Sequence, residues 1–343
     1  MNLAMRKIIL DVDTGSDDAV AIMTAILSRE LELLGITTVH GNLPLPYTTD
    51  NTMRVMDFMK SKIPVYQGCP YPLVQDLTPG RRVNADEVKR DTVIDGKVVA
   101  VHEKELPLPP AVSGVQEEHA VPWLWRTLKY ANEKITLIPV GAMTNIATVL
   151  RMDPTVAEHI DEIICMGGGI HVHNRSYRSE TNFYNDPEAA KIMLNCGVKV
   201  TVVTLDATHS SWFGYEEVNE LRRIGTKEAE FAAQMLYHRI YAANLIGARA
   251  EKKSALHDVL AVCAAIDPSV LTDVRHESCD VDIGGHIADG ALMVSSRYRY
   301  SRPENPTYIA YQADRDKLFA MLCRYLARGE KITGEGKTLG GEN

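Results

Sequence analysis

Four carboxylates fall within eight residues near the N-terminus, in the stretch Ile9-Leu-Asp11-Val-Asp13-Thr-Gly15-Ser-Asp17-Asp18. Anions this close repel one another unless a cation joins them, so the first chemistry they imply is metal binding. A donor set made of oxygen favours a hard ion, calcium or magnesium, over zinc. Helix capping would account for Asp17 and Asp18 without a metal. It does not account for two more acids at the end of a buried strand, so the metal reading is preferred.

The elements that must hold this cluster follow from hydrophobic periodicity. Lys7 to Asp13 is a continuous apolar run ending in acid, the pattern of a strand buried on both faces. A helix follows, with Ser16 as its N-cap, Asp17 and Asp18 in its first turn, and Val20, Met23 and Leu27 along one face. Alternation along the strand sends Asp11 and Asp13 to the same side, and Gly15 permits a tight turn that brings Asp17 and Asp18 back towards them. Leu33 to Val39 predicts a second strand, with a helix around Asp50 to Lys60 after it. Ile135 to Val140, Glu162 to Met166 and Lys199 to Leu205 repeat the pattern. Such alternation predicts an α/β fold: an open, mostly parallel, doubly wound sheet with flanking helices. Sheets of this kind bind ligands at the carboxyl ends of their strands.

Near the C-terminus, Cys279 to Ile283, Ala291 to Ser295 and Thr307 to Gln312 predict a small antiparallel extension, and a last helix spans Arg315 to Arg328. Residues 75–121 lack a core pattern and read as an insertion over the active site, with a hairpin turning at Asp95-Gly96. Residues 1–332 read as one domain and residues 333–343 as a disordered tail.

Composition narrows the function classes. Of 343 residues 45% are apolar and 24% charged, as in a soluble globular protein. A net charge of −8 repels a phosphate backbone, which argues against nucleic acid as a partner. No run approaches the ~18 apolar residues of a membrane helix, so no membrane partner is expected. The six cysteines (Cys69, Cys165, Cys196, Cys263, Cys279 and Cys323) form no CxxC pair, and several sit in apolar runs. They read as reduced thiols of a cytoplasmic protein, and no signal peptide precedes the first strand.

Two enzyme families could own the acidic motif. An apolar strand entering Asp-x-Asp-x-Thr resembles the magnesium phosphatases of the haloacid dehalogenase type, with Asp11 as nucleophile and Asp13 as acid/base. That pattern does not call for the Asp17-Asp18 pair, and no downstream acid pair completes it. Asp-x-Asp-x-Gly-x-Asp-Asp-Ala, from Asp11 to Ala19, resembles the hallmark of the inosine–uridine type of nucleoside hydrolases. Further stretches fall in that family's order: Thr38-Val-His-Gly41-Asn42, Ile138-Pro-Val140-Gly-Ala-Met-Thr144-Asn145, and Met166-Gly-Gly-Gly169. Asn174, Glu180, Asn182-Phe, Asp186-Pro-Glu-Ala-Ala and His257-Asp258 complete the series. Any one of these is a weak signal; their joint order after predicted strands is specific.

The resemblance implies calcium-dependent cleavage of the N-glycosidic bond of a small-molecule ribonucleoside. It implies calcium bound by Asp13, Asp18 and Asp258 and the backbone carbonyl of Val140, with Asp13 also the base that activates a metal-bound water. It places Asp17, Asn42 and Asn182 at the ribose diol, Asn174 and Glu180 at the 5′-hydroxyl, and His257 where it can protonate the departing base. Homo-oligomers, dimers or tetramers, are common in the family. Tyr237 and Tyr241, one helical turn apart, could contact a nucleobase or pack in the core.

The chain departs from the family pattern in two places. Thr14 stands where proline usually precedes Gly15. Val101-His102-Glu103 stands where a His-Gly pair and a Gly-rich loop are usual, which puts the identity of the leaving base in doubt. A ribosyl-binding relative without turnover is a third reading, which only the altered loop supports.

Overall fold

The computed structural model describes residues 5–74, 77, 92–94, 97–245, 252–295 and 307–332. The predicted tail, the Asp95-Gly96 turn and residues 78–91 of the predicted insertion lie outside these.

In chain order the strands are β1 (Arg6–Val12), β2 (Leu31–Thr38), β3 (Val65–Gln67), β4 (Thr92–Ile94), β5 (Lys97–Val99), β6 (Ile135–Pro139) and β7 (Ile160–Met166). They continue with β8 (Val200–Val203), β9 (Phe213–Gly214), β10 (Lys253–Ser254), β11 (Leu271–His276), β12 (Ser278–Val281), β13 (Leu292–Ser295) and β14 (Thr307–Ala313). The helices are α1 (Ser16–Leu27), α2 (Leu45–Phe58), α3 (Ala120–Lys129), α4 (Thr144–Met152), α5 (Thr181–Asn185) and α6 (Pro187–Leu194). After them come α7 (Leu205–His209), α8 (Tyr215–Arg223), α9 (Lys227–Leu245), α10 (His257–Ile266) and α11 (Arg315–Leu326).

The main sheet runs β11-β14-β8-β7-β6-β1-β2-β3. Neighbours in it are parallel apart from β11, which lies antiparallel to β14. From β1 the chain builds outward through β2 to β3, then returns to lay β6 on the other side of β1. The direction of winding therefore reverses between β1 and β6. Their carboxyl ends flank the crevice where an open α/β sheet takes its ligand.

Alternation along β1 explains the two helical layers. Ile8, Leu10 and Val12 enter one core with α1, α9, α10 and α11, and Ile9 enters another with α3, α4 and α6. All four side chains are fully buried. Burying each contributes about 1.5–3 kcal/mol relative to leaving it in water, which fixes the strand's register and hence the position of the acids beyond it.

Several boundaries differ from the sequence expectation for identifiable reasons. Gly15, not Ser16, is the N-cap of α1, and the Asp18 carboxylate accepts from the Gly15 N–H at 2.9 Å. Helix α2 starts at Leu45, before the expected Asp50, with Pro46 tolerated in its first turn. The C-terminal strands divide between two sheets: β12 and β13 form a separate antiparallel ribbon, while β14 lies parallel to β8 in the main sheet. Strand β11 was not anticipated. The hairpin expected in the insertion is present as β4 and β5, paired antiparallel. All six cysteines are free thiols. Among the described residues no helix is long and apolar enough to cross a membrane.

Candidate functional site

Asp13 lies just beyond the end of β1, fully buried. Its Oδ2 accepts from the Asn42 backbone N–H at 2.5 Å, and its Oδ1 from the Asn42 side-chain amide at 3.2 Å. Two glycines make room for it. A Cβ on Gly41 would fall 2.0 Å from Asp13 Oδ2, and one on Gly141 would fall 3.0 Å from Asp13 Cβ. A Gly41→Ala protein is accordingly expected to keep its fold and lose activity by about tenfold or more, because the methyl displaces the carboxylate. Thermal unfolding beside a rate assay checks this.

The loop before α1 is held from behind. Thr14 shares a 2.7 Å hydrogen bond with the Thr52 hydroxyl on α2, a bond proline could not make. Its carbonyl accepts from Asn51 at 3.2 Å.

Helices α1 and α10 bring their N-termini together, so Asp17 and Asp18 meet Asp258. One oxygen from each lies within 4.8 Å of the others, all three buried. Asp18 also accepts from the Asp13 N–H at 3.2 Å and from Asn42 Nδ2 at 3.3 Å. Burial, and then the charge of Asp17, push the Asp18 carboxyl up to about 6. Burial, followed by the charges of Asp17, Asp18 and Asp13, holds the Asp258 carboxyl well above the ordinary 3.8. Arg239, buried on α9, opposes this; its Nη1 donates to Asp17 Oδ1 at 2.7 Å and to Ser16 Oγ at 2.9 Å. Among the described residues one guanidinium is set beside the three acids Asp17, Asp18 and Asp258, and their donors are all oxygen. The residues present fit a hard divalent cation.

The other expected residues lie past the carboxyl ends of β6 and β7 or at the start of α10. The Val140 carbonyl, just past β6, accepts from Asn182 Nδ2 at 2.7 Å, and the same amide reaches the Met166 carbonyl at 3.0 Å. Glu180 is buried and caps α5, its Oε2 accepting from the N–H groups of Gly168, Asn182 and Phe183. Asn174 is exposed, and its Oδ1 accepts from the N–H and hydroxyl of Thr181. The His257 N–H donates to Asp17 Oδ2 at 3.3 Å, and its Nδ1 meets the Thr208 hydroxyl at 2.8 Å.

Asp11 stands apart from the acids it was grouped with. Its Oδ1 accepts from Thr37 at 2.5 Å and from Asn145 at 2.7 Å, and its Oδ2 is buried without a hydrogen-bond partner. Burial raises its carboxyl to about 7, against which the two hydrogen bonds act. It ties β1 to β2 and α4. Tyr237 and Tyr241 are half-exposed on α9 and do not pack in the core.

Sequence reasoning missed Arg239 and gave His102 little weight. Arg239 falls on the same face of α9 as the buried Phe231, Met235 and Ala242, and a cation within that apolar stripe was the available signal. His102 packs over the start of α1, its Nδ1 3.4 Å from the Ser16 N–H and 3.9 Å from Asp17 Oδ1. A Cβ on Gly15 would meet that ring at 2.0 Å, which explains the glycine.

These pKa displacements carry a stability prediction. Asp11, Asp18 and Asp186 all hold their protons to higher pH when folded, at about 7, 6 and 6 against 3.8. Folding is therefore favoured below about pH 4 by these groups, and their contribution falls away as pH rises towards 7. His40, lowered by burial to about 3, acts oppositely below its ordinary 6.5 but is one group against three. In chelator, the protein is expected to unfold at a higher temperature near pH 5 than near pH 7.5, about a unit or two around the span those values define. A flat or rising profile in calorimetry would contradict this.

Comparison with known proteins agrees with the geometry. The family model for inosine-uridine preferring nucleoside hydrolase matches residues 8–320. The chain belongs to this family. It is 36% identical to the inosine-uridine preferring nucleoside hydrolase of Leishmania major, over 94% of this chain and 98% of that protein. It is 32% identical to a pyrimidine-specific ribonucleoside hydrolase of Photobacterium profundum, over 94% of this chain and 99% of that one. The solved structure of a purine-preferring ribonucleoside hydrolase from Gardnerella vaginalis superposes with a TM-score of 0.78 at 28% identity, covering 94% of this chain and 98% of that chain. This nucleoside hydrolase is thus an enzyme, an N-glycosyl hydrolase of the ribonucleoside class.

Proposed function

We propose that the enzyme hydrolyses a ribonucleoside to ribose and free base with calcium at Asp13, Asp18, Asp258 and the Val140 carbonyl. The observation that carries this reading is the convergence of Asp17, Asp18 and Asp258 beside Asp13, at the point where the sheet reverses direction. Calcium, when bound, would lower the pKa of water at the site and hold the ribose hydroxyls.

The chain's own groups supply the remainder. Asp13, fixed through both oxygens by Asn42, takes the proton from the attacking water. The carboxylates around the anomeric carbon stabilise the positive charge that develops there as the bond to the base breaks. Asp17, Asn42 and Asn182 accept or donate at the ribose diol, and Glu180 with Asn174 takes the 5′-hydroxyl. A carboxylate there repels a 5′-phosphate and selects nucleosides over nucleotides. His257, oriented through Nδ1 by Thr208, gives a proton to the departing base. The relatives' names span inosine, uridine and pyrimidine nucleosides, and His102 stands where the family's His-Gly pair is altered. Inosine and uridine are therefore the first substrates to try.

The test is free-ribose release from purine, pyrimidine and modified nucleosides, in chelator and after adding back calcium or magnesium. Ribose that depends on calcium supports the reading. Release of phosphate from phosphate esters with magnesium, or calcium binding without ribose from any nucleoside, would replace it with the phosphatase or silent-binder alternatives.

A further inference from the structure

Three buried carboxylates present oxygens at mutual distances a single cation could span, yet they do not have equal partners. Asp18 accepts from backbone N–H groups of its own turn and from Asn42. Asp17 is claimed by a cation of the protein itself. The Arg239 Nη1 sits 2.7 Å from Asp17 Oδ1, both side chains at most 5% exposed. The same guanidinium donates through Nε to the Ala255 carbonyl at 2.9 Å, two residues before His257. Asp17 Oδ2 accepts at 3.3 Å from the His257 N–H. One side chain thus links α9, the first turn of α1 and the segment that leads into α10.

We propose that Arg239 is a positioning residue that assigns Asp17 to the substrate's diol and keeps it out of the cation's ligand set. This rests on the functional reading above. The physical basis is charge and direction. A guanidinium is permanently protonated, and its fork fixes Asp17 from one side while Ala255 fixes the fork. A carboxylate already paired with a cation gains less by binding a second one, so the metal is left to its neighbours. Asp17 keeps a fixed orientation in which a hydroxyl can be recognised by hydrogen bonding. Without Arg239 the Asp17 charge is unpaired and buried, and the cheapest remedy is to join the cation.

Removing the guanidinium then moves two measurements in opposite directions. In Arg239→Gln, calcium affinity measured by titration calorimetry rises roughly tenfold, since a buried positive charge beside the site is gone. In the same protein KM for the best nucleoside rises roughly ten- to hundredfold, because the diol loses its oriented acceptor. A residue that merely held the helices together would weaken calcium binding and substrate binding alike. In the Asp17→Asn background, Arg239→Gln changes KM no further. Arg239→Lys keeps the charge and loses the fork; its calcium affinity stays at the level of the unaltered enzyme while KM rises. It serves equally if the glutamine protein does not fold.

Calcium affinity falling with substrate affinity in either variant, or a KM effect undiminished in the Asp17→Asn background, overturns the proposal. If the unaltered enzyme releases no ribose or binds no calcium, the functional reading fails instead, and the two failures are distinct.

Discussion

Asp13→Asn is expected to lower ribose release by roughly a hundred- to ten-thousandfold, the usual worth of a positioned general base. The amide matches the carboxylate in shape, so the crevice keeps its form. One of the two contacts with Asn42 must be lost, because an NH2 group replaces an accepting oxygen. That costs about 1 kcal/mol of stability and leaves the fold intact. The rate loss would fall chiefly on kcat, since proton acceptance is needed in the transition state and not for binding the sugar. A rate within threefold or so of the unaltered enzyme would remove Asp13 from the chemistry.

Asp258→Asn separates cation binding from stability. The folded protein keeps the Asp258 carboxyl neutral well above its ordinary range, through burial first and the three neighbouring acids next. An asparagine removes that repulsion, so the cation-free variant is expected to unfold at a higher temperature than the cation-free parent near neutral pH. On the proposed reading the parent would gain stability from calcium by mass action, about 2.7 kcal/mol at a hundredfold excess over Kd, and the variant would lose most of this gain. Its ribose release falls by about a hundredfold or more at fixed calcium. Melting curves with and without calcium read both effects. A variant less stable without the ion and fully responsive to it would show that Asp258 supports the fold and not the metal.

Much of the architecture could be read from periodicity because β1, β6 and β7 each carry a buried apolar stretch, Ile8-Ile9-Leu10, Leu137-Ile138 and Ile163-Ile164-Cys165-Met166. Strand β11 escaped because Leu271-Thr-Asp-Val-Arg-His lies at the sheet's edge, where most side chains meet solvent and polar residues interrupt the pattern. The partners of β14 were hidden for the opposite reason: a buried run carries no mark of the strand it pairs with. At the site, Asp13 and Asp18 could be grouped from the spacing of one motif, whereas Asp258 joins them only through the family resemblance, since a lone acid at a helix start carries no mark of a distant partner. Asp11 shows the limit of that reasoning. It shares the motif, but Thr37 and Asn145, 26 and 134 residues away, turn it to a structural task. Arg239 and His102 were obscure for the same cause, since both reach Asp17 across long sequence separations.

The most direct test is to run the reaction in water carrying heavy oxygen and weigh both products. Attack by water at the anomeric carbon predicts one heavy oxygen in the ribose and none in the released base, with the signal lost in Asp13→Asn. Label in the base, or in phosphate with no ribose formed, would contradict N-glycosidic cleavage by a water that Asp13 activates.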